Sequence, residues 1–137
     1  MEVAGTTPVL VSASQVVDRL DENWEKLGPA DIAAKAVSEM LASTDVVDIG
    51  LYVDRVVVMR TFVDSVPDRI KPLLAPFGFS TKFARSVAAR AGLDHAAAHY
   101  ATAGGQSPQQ YTAKACRAIA SGEALSLIHI SEPTRPY

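Results

Sequence analysis

The hydrophobic and polar positions of the chain switch between strand-like and helix-like patterns. The segment PVLVSASQVV (Pro8–Val17) opens with a β-branched apolar run and then turns polar, which predicts a short buried strand. Apolar residues over Ile32–Leu41 recur at helical spacing, so we expect an amphipathic helix that begins at Pro29. The apolar run within Asp54–Phe62 is continuous and does not alternate, which predicts a parallel strand covered on both faces.

The second half of the chain repeats this alternation after an irregular, proline-rich stretch. A short helix is predicted around Ile70–Leu74, and the segment TKFARSVAARAG (Thr81–Gly92) predicts a longer helix that ends on its glycine. The small residues of His95–Ala103 predict a strand, and Ser107 followed by proline starts a last helix that runs to about Ser121. The resulting order, β-α-β-α-β-α, predicts an α/β fold with a mostly parallel sheet and helices on its faces.

The tail of the chain, LSLIHISEPTRPY (Leu125–Tyr137), departs from this pattern. Its first part, LSLIHISEPTR, resembles the conceptual translation of a sequencing adapter read in frame. We therefore expect a natural domain over residues 1–124 and a non-native tail over residues 125–137. On this interpretation the natural coding sequence continues past Ala124, and His129 has no catalytic role. A strand formed by the tail is then opportunistic pairing on an open sheet edge.

Composition and charge narrow the classes of protein to which the chain can belong. Its 137 residues are 48% hydrophobic and 20% charged, which suits one domain with a real core. The 13 basic residues are scattered and the formal net charge is −2, which argues against nucleic acid as a partner. No apolar run reaches the roughly 20 residues of a membrane span. The single cysteine, Cys116, allows neither an internal disulfide nor a multi-cysteine metal site, so we expect a cytoplasmic protein without a bound metal.

The turn ATAGGQSPQQY (Ala101–Tyr111) is the main candidate for a binding site. Two glycines between a predicted strand and a predicted helix allow a ligand to approach the backbone closely. The ligand-binding residues predicted here are Gly104, Gly105, Gln106 and Ser107. Their peptide N–H groups and the positive end of the helix dipole suit a phosphate or an oxyanion. By itself the pattern also fits a plain connection in which glycine relieves crowding.

Other residues with chemical potential are weaker candidates. Cys116 lies about three turns inside the last helix among alanines, which predicts a buried, unreactive thiol. His95 and His99 share one face of a predicted strand and are widely separated, which favours structural or surface roles over metal binding. The acidic pair Asp64 and Asp68 fits a loop or a helix cap better than general acid–base chemistry.

Three segments together resemble the thiolase superfamily. They are PVLVSASQVVDR, DRVVVMRTF and ATAGGQSPQQYTAKACRAIASGEA, and the resemblance spans about Pro8–Ala124. The similarity is to the acetyl-CoA acetyltransferase-like branch, related to sterol-carrier-protein thiolases, and it implies the truncated half of a thiolase-like N-terminal domain. In that family this strand–turn–helix presents a nucleophilic cysteine at a helix N-terminus, which lowers the cysteine pKa. The place of that cysteine falls on Gly105 here.

The resemblance implies a parent protein that acts on, or merely binds, acyl-CoA thioesters. It also implies a homodimer with His95–Ala103 near the subunit interface, and a coenzyme A thioester as substrate or ligand. Because Gly105 offers no nucleophile, and the family's activating histidine and second cysteine belong to the C-terminal half, we expect no thiolase activity from this chain alone. Two alternatives stay open. One is a non-catalytic relative that binds acyl-CoA or lipid, and the other is an unrelated α/β module that binds a phosphorylated small molecule at the turn.

Overall fold

The computed structural model describes residues 4–131, and its centre is a three-stranded sheet in which all strands run parallel. The strands are β1 (Arg55–Met59), β2 (Ala97–Ala101) and β3 (Leu127–Ile130), in the order β2-β1-β3. Four of the five residues of the central strand are buried, as the continuous apolar run predicts for a strand covered on both faces. The predicted α/β fold class is therefore confirmed.

Residues 4–131 contain four α-helices. They are α1 (Pro29–Ala42), α2 (Lys71–Leu74), α3 (Phe83–Arg90) and α4 (Ser107–Ala120). Two 3-10 turns, Ile49–Tyr52 and Phe62–Ser65, lie on either side of β1. The prediction that α1 begins at Pro29 is confirmed. Proline suits the first helical position because the N–H group that it lacks would have no intrahelical partner there.

The core has two layers, one on each face of the sheet. On one face α1 and α3 pack over Val56, Val58 and Ile128, together with the fully buried Val87 of α3. On the other face α4 lies over a smaller apolar cluster that is centred on Val57 and includes other strand residues. Side chains alternate between the faces of a strand, so β1 supplies both layers. The first layer is much the larger of the two.

The prediction of a strand over Pro8–Val17 is wrong. Among residues 4–131 this segment pairs with no strand, and most of its apolar side chains face solvent, with Leu10 88% exposed. Side-chain hydrogen bonds hold it along α1, where Ser12 Oγ donates to Met40 O at 3.3 Å and Ser14 Oγ donates to Ala36 O at 2.5 Å. The two edges of β1 are taken by β2 and β3.

The predicted tail begins with residues that join the sheet. Its segment Leu127–Ile130 forms β3, which pairs with β1 on the side opposite β2. The Asp54 carboxylate accepts hydrogen bonds from the amides of Leu125 at 2.5 Å and Ser126 at 3.1 Å, which lowers the pKa of Asp54. The adapter origin of the tail stays a prediction, and residues 132–137 lie outside the described part of the chain.

Candidate functional site

The predicted turn lies where β2 ends and α4 begins, at the carboxyl edge of the sheet. Gly104 adopts a φ of +146°, and its carbonyl accepts a hydrogen bond from the Ser107 amide at 2.9 Å. Gln106 is already in the right-handed helical region and its carbonyl accepts from the Gln110 amide at 3.1 Å. Gly104 therefore provides the positive φ of the turn, and α4 starts directly after Gln106. In open parallel sheets, ligands bind beyond this carboxyl edge.

The two glycines of the turn have different surroundings. A Cβ atom on Gly104 would lie 3.2 Å from Ser107 Oγ and 3.2 Å from Gln106 Oε1, in addition to the strain of its positive φ. A Cβ atom on Gly105 would meet nothing within 4 Å, and Gly105 is not among the residues with positive φ. Gly104 is thus required by the shape of the turn. Gly105 faces open space, and a side chain fits there.

Peptide N–H groups of the turn are free to donate to a ligand. Gly104, Gly105 and Gln106 are exposed, and within residues 4–131 the amides of Gly105 and Gln106 have no protein acceptor. The prediction that the Ser107 amide is also available is wrong, because it donates to Gly104 O inside the turn and Ser107 is 2% exposed. The first turn of α4 contains no acidic side chain, so the positive end of the helix dipole is not neutralised there.

A hydrogen-bonded cluster lies at the same edge of the sheet and was not expected from the sequence. The Tyr100 hydroxyl donates to Asp64 Oδ2, and Thr61 Oγ1 donates to the same oxygen at 3.0 Å. The amide of Thr61 in turn donates to the Tyr100 hydroxyl at 3.2 Å. These contacts fasten the segment after β1 to the end of β2. Asp64 and Tyr100 are far apart in the sequence, so neither residue type nor local spacing signalled this contact.

The remaining sequence candidates are dispersed. Cys116 is exposed, so the prediction of a buried thiol is wrong. The physical reason is that α4 buries only one side, including Ala118, and a residue two positions away lies on the opposite side of a helix. The ring of exposed His99 packs 5.5 Å from the ring of Tyr111, whereas His95 lies before β2 begins. Within residues 4–131, no group of three or more His, Cys, Asp or Glu side chains is placed to hold a metal ion.

Two concave surfaces among the described residues lie away from the turn. One cavity of about 240 Å³ lies under the loop that contains Asp18 and Asn23. A second, of about 710 Å³, lies between Arg55 and the C-terminal half of α4. The turn is an exposed surface and is not the wall of either cavity. Peptide groups of the turn would therefore contact a ligand from one side only.

Comparisons with known proteins add no relative. Neither models of protein families, nor curated proteins, nor solved structures give a significant match to this chain. None of the described helices is long and apolar enough to cross a membrane.

Proposed function

We propose that this chain is the N-terminal part of a thiolase-like protein whose turn Gly104–Gln106 binds the thioester group of an acyl-coenzyme A. The observation that carries this proposal is the pair of exposed amides, Gly105 and Gln106, at the N-terminus of a 14-residue helix. Paired amide donors at such a position stabilise a carbonyl oxygen on which negative charge gathers. The sequence resemblance to thiolases supports the choice of a thioester over other carbonyl compounds.

The turn supplies binding without a nucleophile. Gly105 stands at the position where the thiolase pattern has its reactive cysteine, and the space beside it is open. The exposed Cys116 belongs to the C-terminal half of α4, where the helix dipole does not favour a thiolate. We therefore propose that this chain holds the thioester without forming an acyl-enzyme. The parent protein either binds acyl-CoA without reaction or obtains its chemistry from groups outside this chain.

The same proposal includes a homodimer in the cytoplasm. The first three residues of β2, Ala97, Ala98 and His99, are exposed, and one edge of this strand has no neighbour in the sheet. Small side chains let a second backbone approach such an edge closely. This supports, for the parent protein, a subunit interface along β2.

Binding of acetyl-CoA to the purified chain tests the proposal, with free coenzyme A as the matched ligand that lacks the thioester. Gln106→Pro removes one of the two amide donors at a residue whose φ of −85° is close to that of proline. Gln106→Ala removes the same side chain but keeps the amide. A lost hydrogen bond of about 1 kcal/mol weakens acetyl-CoA binding roughly fivefold in Gln106→Pro. Gln106→Ala should bind like the unchanged chain.

Three results of this titration separate the interpretations. Tighter binding of acetyl-CoA than of coenzyme A, lost in Gln106→Pro only, supports thioester recognition. Equal binding of both ligands, with competition by inorganic phosphate, supports the alternative of a site for phosphorylated small molecules, which the exposed helix N-terminus also suits. No binding of either ligand by a folded chain refutes the proposal for this chain.

A further inference from the structure

The most exposed apolar run of the molecule is the segment that the sequence predicts as a strand. Val9, Leu10 and Val11 are 66%, 88% and 61% exposed. Within the described part of the chain, the amides of residues 9–17 make no backbone hydrogen bond, and serine side chains donate the hydrogen bonds from the segment to α1. Isolated exposed apolar residues are ordinary, but a contiguous apolar run that contains two β-branched valines and has free peptide groups is suited to joining a sheet.

The strand that now occupies the free edge of β1 fits it imperfectly. In β3, Ile128 is 4% exposed and joins the main core, but the neighbouring His129 has a buried Nε2 atom without a hydrogen-bond partner among the described residues. A buried polar atom without a partner destabilises the arrangement that contains it. The present occupant of this position is therefore replaceable on energetic grounds.

The two segments have the same pattern of apolar and polar residues. Leu10–Ala13 reads LVSA and β3, Leu127–Ile130, reads LIHI, so both have a polar residue only at the third position. Because side chains alternate between the two faces of a strand, residues at the same position in the two segments would lie on the same face of the sheet. In this alignment Ser12 takes the place of His129, and its small hydroxyl can rotate toward whichever neighbour offers a hydrogen bond.

The connection through α1 also fits. The existing crossover from β1 to β2 passes over the face that carries α3, and α1 packs on this same face. Suppose that Val9–Ala13 lies parallel to β1 in the place of β3. The chain then passes from this strand through α1 to β1, which is the same direction across the sheet, and over the same face, as its passage from β1 to β2. This connection therefore has the same hand as the existing crossover, as nearly all such connections do. The 11 residues between Val17 and Pro29 extend up to roughly 36 Å, which is ample for this path.

We propose that the edge of β1 held by β3 is a strand-binding site for a second segment of the same chain, Val9–Ala13, and that this segment replaces β3 when β3 is released. The exchange keeps a three-stranded parallel sheet and buries the apolar run that is now exposed. It depends neither on thioester binding nor on the origin of the tail.

Hydrogen–deuterium exchange on the full 137-residue chain tests this inference. Ile128→Pro removes a backbone N–H group, fixes φ at this residue and removes the buried side chain of β3 together. In the unchanged chain, peptides covering residues 9–13 should exchange as fast as unstructured peptide. In Ile128→Pro we expect their exchange to slow by at least roughly tenfold while β1 stays protected. Ile128→Ala, which weakens β3 without a backbone break, should give a smaller slowing of the same peptides.

A proline at Leu10 tests whether Val9–Ala13 is the segment that replaces β3. Leu10→Pro alone is the matched control, and it should leave the urea midpoint unchanged because Leu10 is exposed and unpaired. Combined with Ile128→Pro, it should abolish the new protection and the cooperative unfolding transition. The inference is overturned if residues 9–13 gain no protection in either Ile128 variant, or if Ile128→Pro is unfolded, because the segment then fails to replace β3.

Discussion

Replacing the two adjacent glycines of the turn by alanine, one at a time, should change stability in opposite directions. Gly104 has a φ of +146°, where a side chain adds about 1–3 kcal/mol of backbone strain. Its new Cβ atom also lies 3.2 Å from Ser107 Oγ, and Ser107 is buried and has little room to move. We expect Gly104→Ala to lower the free energy of unfolding by about 1–3 kcal/mol.

Gly105→Ala should be stabilising. Its Cβ atom meets nothing within 4 Å, and its φ is not positive. Alanine reduces the conformational freedom of the unfolded chain, which stabilises the folded state by about 0.4–1 kcal/mol. The two variants should therefore differ by about 1.4–4 kcal/mol, which at ~4 °C per kcal/mol separates their melting temperatures by roughly 6–16 °C.

Urea unfolding followed by circular dichroism measures this difference, with equal slopes confirming that only the stability has changed. Gly5→Ala is the control for a general glycine-to-alanine effect, because a Cβ atom there also meets nothing within 4 Å. Equal midpoints for the Gly104 and Gly105 variants would refute the described shape of the turn. The proposal that Gly105 stands in the open place of a nucleophile would then lose its geometric basis.

Two further predictions concern the core and the response to pH. Leu93 is 2% exposed, so Leu93→Ala should lower the free energy of unfolding, measured with urea, by about 2–5 kcal/mol. Leu10→Ala, at an exposed position, should change it by less than about 0.5 kcal/mol. Similar losses in the two variants would contradict the described core. Burial lowers the pKa of His129 below its ordinary value of 6.5. As the pH falls, His129 therefore takes up a proton in the unfolded chain before it does so in the folded chain. The free energy of unfolding is unaffected by His129 above pH 6.5 and decreases as the pH falls below it. The urea midpoint should fall less between about pH 7.5 and pH 5.5 in His129→Gln than in the unchanged chain, and identical profiles would show that His129 is not buried in this way.

The local features of the fold could be predicted from the sequence because short-range sterics determine them. Proline at the start of α1 and of α4, and a glycine just beyond α3, mark helix ends wherever the helix then packs. The unbroken apolar run in β1 likewise specifies a strand with two covered faces. The turn itself was predictable for the same reason, since Gly104 is required by its own backbone conformation.

Only the tertiary structure decided which segments meet. Two segments of the chain match the free edge of β1, and their patterns are alike, so the sequence does not rank Val9–Ala13 against Leu127–Ile130. The exposure of Cys116 depends on how α4 is rotated on the sheet, and the contact between Asp64 and Tyr100 depends on the alignment of two strand ends. Propensity and spacing act over a few residues, whereas strand pairing is decided by competition between distant segments for one set of peptide hydrogen bonds.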